Sequence, residues 1–308
     1  MAGRVVQLEP FRTVLSDFLA ERISAPVAVA RLLFHAETPE RLRELVRAHR
    51  FASEVAGRNA RRLEEIDALL AAHGGGAARV QELIREHERL LGAHADASAS
   101  GAPGSGAVET WRRFFDESVS RSEAGSVAAF SLGSDELLAE GTREIVSFLE
   151  SGGLLEESAA VLEIGCGTGR LAAPIAERVR LYHGTDISLG MLAVARRRVT
   201  APNAGFALSS GRSLGELDDG VFDLVLAVDS FPYVHDAGPA LVDVHFAEAA
   251  RVLGEHGRFV LFNYSYLGDP LSEKVEVASL AGSHGFMVEA AGVKPFRIWD
   301  GLLYMLQK

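Results

Sequence analysis

Apolar residues in the first third of the chain recur every three or four positions, which is the spacing of a helix with one buried face. Ser24 with Pro26 and Thr38 with Pro39 predict helix starts, with the proline in the first turn. Residues 39–72 predict one long or two broken helices, ended by the glycines at 74–76. The pattern therefore predicts four or five helices within residues 1–91. The apolar positions that carry it are Phe11, Val14, Leu15, Phe18, Leu19, Ile23, Val80, Leu83, Ile84, Leu90 and Leu91.

Residues 92–106 offer almost no side chain that could join a core. Their last ten residues read Ala-Ser-Ala-Ser-Gly-Ala-Pro-Gly-Ser-Gly, a composition typical of a flexible linker. The helices before this linker are then a semi-independent module. Three roles stay open for that module: a stabilising appendage, a dimerisation element that would make the protein a homodimer, or a lid over a substrate.

From residue 107 the pattern changes to short apolar runs that alternate with helical segments. This alternation predicts an α/β domain over 107–308 with a seven-stranded, mostly parallel, doubly wound sheet. The last two strands are joined by a short connection, and parallel neighbours need a long one, so the last strand should be reversed. Strands are predicted from residue 161 and over 181–187, 205–208, 221–230, 257–263, 285–290 and 302–307, and helices over 135–149, from about 171, and over 189–199 and 240–253.

The first predicted strand runs directly into a glycine-rich loop, Val-Leu-Glu-Ile-Gly-Cys-Gly-Thr-Gly-Arg over 161–170. Glycines in such a loop let the backbone approach a nucleotide-like ligand. A dinucleotide fingerprint needs its third glycine at the sixth position, but here Arg170 stands there, and no Lys-Ser or Lys-Thr pair of a P-loop follows. Glu163, just before the glycines, disfavours phosphate and favours a cationic ligand.

The second strand ends in Asp186, where a carboxylate can hold the two hydroxyls of a ribose. Acids before the glycines and after the second strand suit a ribose with a charged amino-acid tail. The chain resembles the class I S-adenosylmethionine-dependent methyltransferases, whose motif of an acid followed by Gly-x-Gly-x-Gly is matched by Glu163, Gly165, Gly167 and Gly169. The resemblance covers about 107–308 and implies S-adenosylmethionine as cofactor, with Asp186 on its ribose.

The same resemblance implies further cofactor contacts. Family members often carry an acid after the third strand for the adenine, whereas this chain has Ser-Ser-Gly-Arg over 209–212, which makes weaker acceptors available. Cys166, the single cysteine, is interpreted as a packing residue beside the cofactor and not as a nucleophile. No histidine spacing favours zinc, so no metal site is predicted. The additional cofactor positions are Cys166, Ile187, Ser210, Gly211, Arg212, Asp229 and Ser230.

The segment after the fourth strand, 227–235, should face the crevice at the carboxyl ends of the strands. His235 is the first candidate for a general base because the ordinary pKa of histidine is near neutrality. Tyr233 or Asp229 could instead orient the acceptor. The alternative for His235 is a solvated loop histidine. Candidate walls of the acceptor pocket, each of which could equally be an ordinary core aromatic, are Trp111, Phe115, Phe130 and Tyr264.

Size and charge narrow the function further. The chain has 308 residues, which fits two domains, and a net charge of −11, which argues against a nucleic-acid substrate. No signal peptide or long apolar run is present, so no membrane association and a cytoplasmic location are expected.

The sequence predicts a methyltransferase acting on the oxygen or nitrogen of a small organic molecule. The alternatives are a non-methylating catalyst such as a cyclase, and a vestigial interaction protein.

Overall fold

The computed structural model describes residues 8–52, 57–99, 106–266 and 269–308. Contacts divide the chain into two compact units. The first, here called the helical unit, comprises Met1–Arg89, Ser118–Glu144 and Phe296–Asp300, and the second, the sheet unit, comprises Leu90–Glu117, Ile145–Pro295 and Gly301–Lys308. Each unit is built from several separate segments of the chain, whereas the sequence predicts two consecutive domains joined by a single linker.

The helical unit contains α1 (Leu8–Leu19), α2 (Ala25–His35), α3 (Pro39–Ala52) and most of α4 (Arg58–Ala99). The predicted start of α2 is confirmed, because the Ser24 hydroxyl accepts a hydrogen bond from the backbone N–H of Val27. The apolar stripes of these helices are buried within the unit. Fully buried or nearly so are Leu15, Phe18, Leu32, Leu33, Leu42, Leu63, Ile66 and Val80.

The sequence prediction that the glycines at 74–76 end the preceding helix is confirmed in part. Helical geometry breaks at His73, with φ −118° and ψ 18°, where two helical segments of α4 meet at a kink, but the second segment begins at the glycines themselves. A Cβ on Gly76 would lie 2.3 Å from the carbonyl oxygen of Leu132, so glycine there permits a close backbone approach. The buried Ala77 and Val80 continue the apolar face beyond the glycines. Burial of that face outweighs the low helix propensity of glycine.

The linker predicted over 92–106 is wrong for 92–99, which form the end of α4. This stretch is anchored at its start by Leu91, which is buried, and by His94, which lies against Asp236. Alanine-rich sequence also has high helix propensity, so a composition without core residues does not exclude a helix. Residues 100–105 lie outside the described residues.

The sheet unit confirms the predicted seven-stranded sheet, in the order β3-β2-β1-β4-β5-β7-β6. β7 is antiparallel to both β5 and β6, as the short connection required, and the other pairs are parallel. The strands are β1 (Ala160–Ile164), β2 (Leu181–Asp186), β3 (Ala204–Leu208), β4 (Phe222–Val228), β5 (Leu253–Phe262), β6 (Met287–Val293) and β7 (Leu303–Gln307).

Helices connect these strands and position the loops at their carboxyl ends. Every residue of β1 is buried, as expected for a central strand covered on both faces. Because the carboxyl ends of parallel strands meet at one edge, the loops after β1, β2, β4 and β5 converge there. The helices are α5 (Ala107–Arg121), α6 (Asp135–Ser151), α7 (Ala172–Ala176), α8 (Leu189–Arg198), α9 (Phe231–Asp236), α10 (Pro239–Val252) and α11 (Pro270–Ser283).

None of the helices in the described part of the chain combines the length and apolar content needed to cross a membrane.

Candidate functional site

The loop after β1 requires glycine for two separate reasons. Gly165 and Gly169 have φ values of 73° and 70°, in the left-handed region that strains other residues. A Cβ on Gly165 would lie 2.3 Å from the Cβ of Ser230, and one on Gly169 would lie 3.0 Å from the Cβ of Ala195. The first glycine thus allows the segment after β4 to approach the loop, and the last allows α8 to pack against it.

Asp186, at the end of β2, faces this loop. It is 7% exposed, and its Oδ2 accepts the N–H of Gly167 at 2.8 Å while its Oδ1 accepts the N–H of Ser188 at 2.8 Å. Burial raises the pKa of this carboxyl to about 6, although these hydrogen bonds oppose the shift. A carboxylate has about four acceptor positions, and the backbone N–H groups of Gly167, Ser188 and Ile187 engage up to three of them. Acceptor capacity therefore remains for a hydroxyl group, such as those of a ribose.

The other predicted acid, Glu163, is enclosed by protein. It is 2% exposed, and the hydroxyl of Tyr182, itself fully buried, donates a hydrogen bond to its carboxylate. Burial raises the pKa of Glu163 to about 7. The sequence predicts that this acid disfavours phosphate and favours a cationic ligand, but the carboxylate is buried against Tyr182, so any such effect acts without solvent exposure of the charge. Near neutral pH its charge is partly neutralised by protonation.

Cys166 packs between the loop and β2. A Cβ on Gly184 would lie 2.9 Å from both the Cβ and the Sγ of Cys166, and the cysteine is 3% exposed. Burial raises the pKa of its thiol well above the ordinary value, so the reactive thiolate is disfavoured. This environment agrees with a packing residue and not with a nucleophile.

The loop after β3 folds back on itself beside Ile187. The Ser210 hydroxyl accepts the backbone N–H of Arg212 at 3.2 Å. Gly211 has φ 69°, and a Cβ on it would meet the side chains of Ile187 at 2.7 Å and Val108 at 3.0 Å. Four of the positions predicted to contact the cofactor, 187 and 210–212, therefore lie together, with α5 against them.

The ends of β4 and β5 are joined by strained polar residues. Asp229 and Asn263 have φ values of 56° and 65°, and the Asn263 side chain donates to Asp229 Oδ1 at 2.6 Å. The Tyr266 hydroxyl lies 3.2 Å from the same oxygen. Ser230 Oγ donates to the carbonyl of Ile164 at 2.5 Å, which ties this segment to the glycine loop. Asp229 and Ser230 therefore lie at the carboxyl end of β4 beside the glycine loop, and their contact with a cofactor stays a prediction.

Arg170 is a site residue that sequence reasoning used only to reject a dinucleotide. Burial lowers the pKa of its guanidinium, and the opposite charges of Asp229 and Glu163 counteract this. The sequence signal for Arg170 is its position directly after the third glycine, because the side chain at that position is attached to the glycine loop itself.

Three aromatic side chains that the sequence predicts near the acceptor, Trp111, Phe115 and Tyr233, form one cluster. The ring centroids of Trp111 and Tyr233 are 4.7 Å apart, and those of Phe115 and Tyr233 are 4.9 Å apart. Trp111 is fully buried, and its indole N–H donates to Asp236 Oδ2 at 2.7 Å, where His94 Nδ1 also lies at 2.5 Å. Trp111 thus clamps the cluster, while the half-buried Phe115 and Tyr233 remain available as pocket walls.

His235 and Tyr233 point to different sides of α9. The sequence predicts both at one crevice, but 231–236 form a helix, in which residues two positions apart are separated by about 200° around the helix axis. His235 Nε2 lies 3.8 Å from Glu276 Oε2, and its ring is 5.1 Å from that of Tyr264. Tyr264, fully buried, stacks on Phe231 at 5.6 Å. The role of His235 as base stays a prediction.

Phe130 belongs to the helical unit and not to the sheet unit that contains the other three pocket candidates. It lies in a short 3₁₀ turn, Ala129–Ser131, and is 5% exposed. A Cβ on Gly141 would lie 2.5 Å from its ring, so Phe130 packs tightly on α6 within its own unit.

No group of three or more His, Cys, Asp or Glu side chains that could hold a metal ion is found within residues 8–52, 57–99, 106–266 and 269–308.

Comparison with known proteins gives a family for the central part of the sheet unit. Residues 162–261 match the model of a methyltransferase domain. A curated relative, malonyl-[acyl-carrier protein] O-methyltransferase from Geobacter sulfurreducens, is 32% identical over 145 residues, which are 46% of this chain and 49% of the relative. The chain thus spans about half the length of this relative.

Among solved structures, magnesium protoporphyrin IX methyltransferase from Synechocystis PCC 6803 with bound S-adenosylmethionine is 21% identical, with a TM-score of 0.43 over 56% of this chain and 80% of that one. An S-adenosylmethionine-dependent methyltransferase from Mesorhizobium loti is 15% identical, with a TM-score of 0.44 over 55% of this chain and all of that one.

The matched residues include the glycine loop, Asp186 and the end of β4, which are the groups that the geometry brings to one edge of the sheet. The part of the chain that forms this edge of the sheet is therefore similar in sequence to a methyltransferase domain.

Proposed function

We propose that this protein transfers the methyl group of S-adenosylmethionine to a small organic acceptor. The observation that carries the proposal is the buried Asp186 carboxylate, which keeps acceptor capacity beside a loop whose glycines adopt left-handed backbone conformations and pack closely on the segment after β4 and on α8. This arrangement fits a ribose and the aminoacyl chain attached to it. The bound cofactor supplies an activated methyl group on a sulfonium, so the protein mainly binds, orients and excludes water.

The predicted cofactor residues then have distinct roles. Asp186 holds the ribose hydroxyls, and the backbone of 165–169 lies along the aminoacyl part. The loop of Ser210, Gly211 and Arg212 borders the adenine with Ile187. At the other end Asp229 and Ser230 border the amino group of the aminoacyl part, since both stand beside the glycine loop.

The acceptor is expected on the side of α9 that carries Tyr233. Phe115 and Tyr233 supply half-buried aromatic surface there, and Tyr266 and Asp229 supply polar groups that can orient a hydroxyl or an amine. An oxygen acceptor benefits from a general base, and Asp229 Oδ1 lies 3.2 Å from the Tyr266 hydroxyl on this surface, whereas His235 faces Glu276.

Calorimetric titration with S-adenosylhomocysteine tests the cofactor site. Asp186→Ala removes two hydrogen bonds to a charged acceptor, each of about 1.5–3 kcal/mol, so a loss of affinity of about 100-fold or more is expected. Glu255→Gln is the matched control, because Glu255 is an exposed acid near the start of β5, away from the carboxyl ends of the strands. Undiminished affinity of Asp186→Ala refutes the assignment.

A mass-spectrometric screen for metabolites that gain one methyl group identifies the acceptor. Because the curated relative is named for malonyl-[acyl-carrier protein], a malonyl compound belongs in the screen beside small phenols and amines. Formation of S-adenosylhomocysteine must accompany product. Turnover of a compound without it would instead identify a non-methylating catalyst.

The role of the helical unit, as a dimerisation element, a lid or a stabilising appendage, stays a prediction. Light scattering on the full chain measures whether it is a dimer.

A further inference from the structure

We propose that Asp116, on α5, is a positioning residue for the ribose-binding carboxylate of Asp186, acting through Ser188. The inference rests on the proposed function, since it assumes that Asp186 holds the ribose. Asp116 itself does not hydrogen-bond to Asp186. It accepts a hydrogen bond from the side chain of Ser188, and the backbone N–H of Ser188 donates to Asp186.

Asp116 reaches from α5 to the start of α8. Its Oδ1 accepts the hydroxyl hydrogen of Ser188 at 2.7 Å and the backbone N–H of Gly190 at 3.0 Å. Its Oδ2 accepts from Arg112 Nη1 at 2.9 Å, one turn earlier on the same helix. Both carboxylate oxygens are therefore engaged, which holds the side chain in one orientation.

Ser188 is held from three directions. It is fully buried, its hydroxyl oxygen accepts the N–H of Met191 at 3.0 Å as the cap of α8, and the same hydroxyl donates to Asp116. Its own backbone N–H donates to Asp186 Oδ1 at 2.8 Å. A hydroxyl has one hydrogen, so the acceptor on α5 decides how the cap is oriented.

The network therefore runs from Arg112 through Asp116 and Ser188 to Asp186. If Asp116 is removed, the hydroxyl of Ser188 and the N–H of Gly190 lose their acceptor at a buried helix end. The turn from 186 to 190 can then relax, and the carboxylate of Asp186 loses the fixed geometry that binding two hydroxyls at once requires. A contact between distant segments, 72 residues apart in sequence for Ser188 and Asp116, thus tunes the cofactor site.

A residue that only capped α8 would make the same hydrogen bonds, so the charge of Asp116 is what distinguishes a positioning residue from a structural cap. Burial is the main cause of the raised pKa of Asp186, and the negative charge of Asp116 also raises it. The other titratable or charged groups around Asp186 are Cys166 and Tyr182, whose pKa values burial raises well above their ordinary values, Glu163, whose pKa burial raises to about 7, and Arg112 behind Asp116. Cys166 and Tyr182 stay neutral between pH 5 and about 8. Glu163 is the same in wild type and in the Asp116 variants, so a difference in pH midpoint between them reports on the charge of Asp116.

The experiment measures the Kd of S-adenosylhomocysteine from pH 5 to 8 on the full chain, for wild type, Asp116→Asn and Asp116→Ala. The wild-type affinity should weaken as pH falls through about 6, where Asp186 takes up a proton. Asp116→Asn keeps the oxygen that accepts from Ser188 and Gly190 but removes the charge. Its affinity at pH 8 should stay within about threefold, and its pH midpoint should fall by about half a unit.

Asp116→Ala also removes the acceptor, so its affinity at pH 8 should fall by about tenfold. Glu109→Gln is the matched control, because Glu109 is an exposed acid that also pairs with Arg112, at 2.8 Å, but contacts neither Ser188 nor Gly190. Its affinity and its midpoint should equal those of wild type.

The inference is overturned if both Asp116 variants bind with the wild-type affinity and the wild-type midpoint, including the case in which they only unfold at lower temperature. If Asp116→Ala does not fold, the midpoint of Asp116→Asn decides alone. Asp186→Ala is measured alongside. If it loses affinity while the Asp116 variants do not, this inference fails and the proposed function stands. If Asp186→Ala binds normally, the proposed function itself fails.

Discussion

The two halves of the proposed site in the sheet unit, the cofactor half and the acceptor half, are built in different ways. The cofactor half takes Glu163, the glycine loop and Asp186 from one short stretch, 163–186, and its shape comes from backbone conformations that only glycine adopts easily. The acceptor half combines the end of α4, α5, α9 and the end of β5, and its shape comes from side chains packed between them. A site encoded in the backbone can be read from a local motif, whereas a site encoded in packing depends on which face of each helix is turned inward.

Gly165 is where the two halves meet, so Gly165→Ala should have the largest effect. An alanine there combines a left-handed backbone with a Cβ 2.3 Å from Ser230, and we expect a loss of about 3 kcal/mol in the free energy of unfolding. Cofactor affinity should fall with it, because the loop must move. Urea denaturation and calorimetry measure both quantities.

Gly282→Ala, in α11, is the matched control, because no atom lies within 4 Å of its added Cβ. That change should leave the stability equal or raise it by up to about 1 kcal/mol. In the Gly165→Ala background, Ser230→Gly should recover part of the loss by removing the clashing carbon. Equal effects of the two alanine substitutions would show that the approach of the two halves is not the constraint.

Burial of the Glu163 carboxyl, in the cofactor half, is expected to affect the free energy of unfolding. The pKa of Glu163 is raised by burial to about 7 in the folded state, from an ordinary value of 4.5, so the folded chain holds this proton more tightly. Its contribution to stability is complete below pH 4.5 and is lost as pH rises through 7. Relative to Glu163→Gln, the wild type should therefore lose roughly 3 kcal/mol between pH 4.5 and 8.

Urea denaturation of both proteins at pH 5, 6, 7 and 8 measures this difference. The exposed acid variant Glu255→Gln should keep a constant difference from wild type over the same range. A constant difference for Glu163→Gln as well would mean that the carboxyl stays ionised behind the loop.

The two faces of α9 give the smallest effects and bear on the acceptor half alone. Tyr233→Ala removes aromatic surface beside Phe115 and should raise the acceptor KM about tenfold, with cofactor Kd unchanged. His235→Ala should change kcat/KM less than about threefold, because its ring faces Tyr264 and Glu276. Loss of a general base costs about 100-fold or more, so a loss of that size would establish His235 as the base. Steady-state kinetics with the identified acceptor measure both, and Tyr233→Phe separates the ring from its hydroxyl.

The sequence by itself determined the sheet, its reversed last strand, the glycine loop and the acid at the end of β2. These features follow from local rules: the periodicity of apolar residues, the backbone freedom of glycine and the length of a connection. Such rules act over a few residues, so a single sequence is enough to apply them.

Only the tertiary structure decided which groups meet across long separations. It placed His235 and Tyr233 on opposite sides of one helix, enclosed Glu163 with Tyr182, extended α4 into the expected linker and brought Asp116 to the cap of α8. The phase of a six-residue helix and the partner of a buried carboxylate depend on packing with distant segments. No local pattern contains that information, because the same residue types at the same spacing can bury either face.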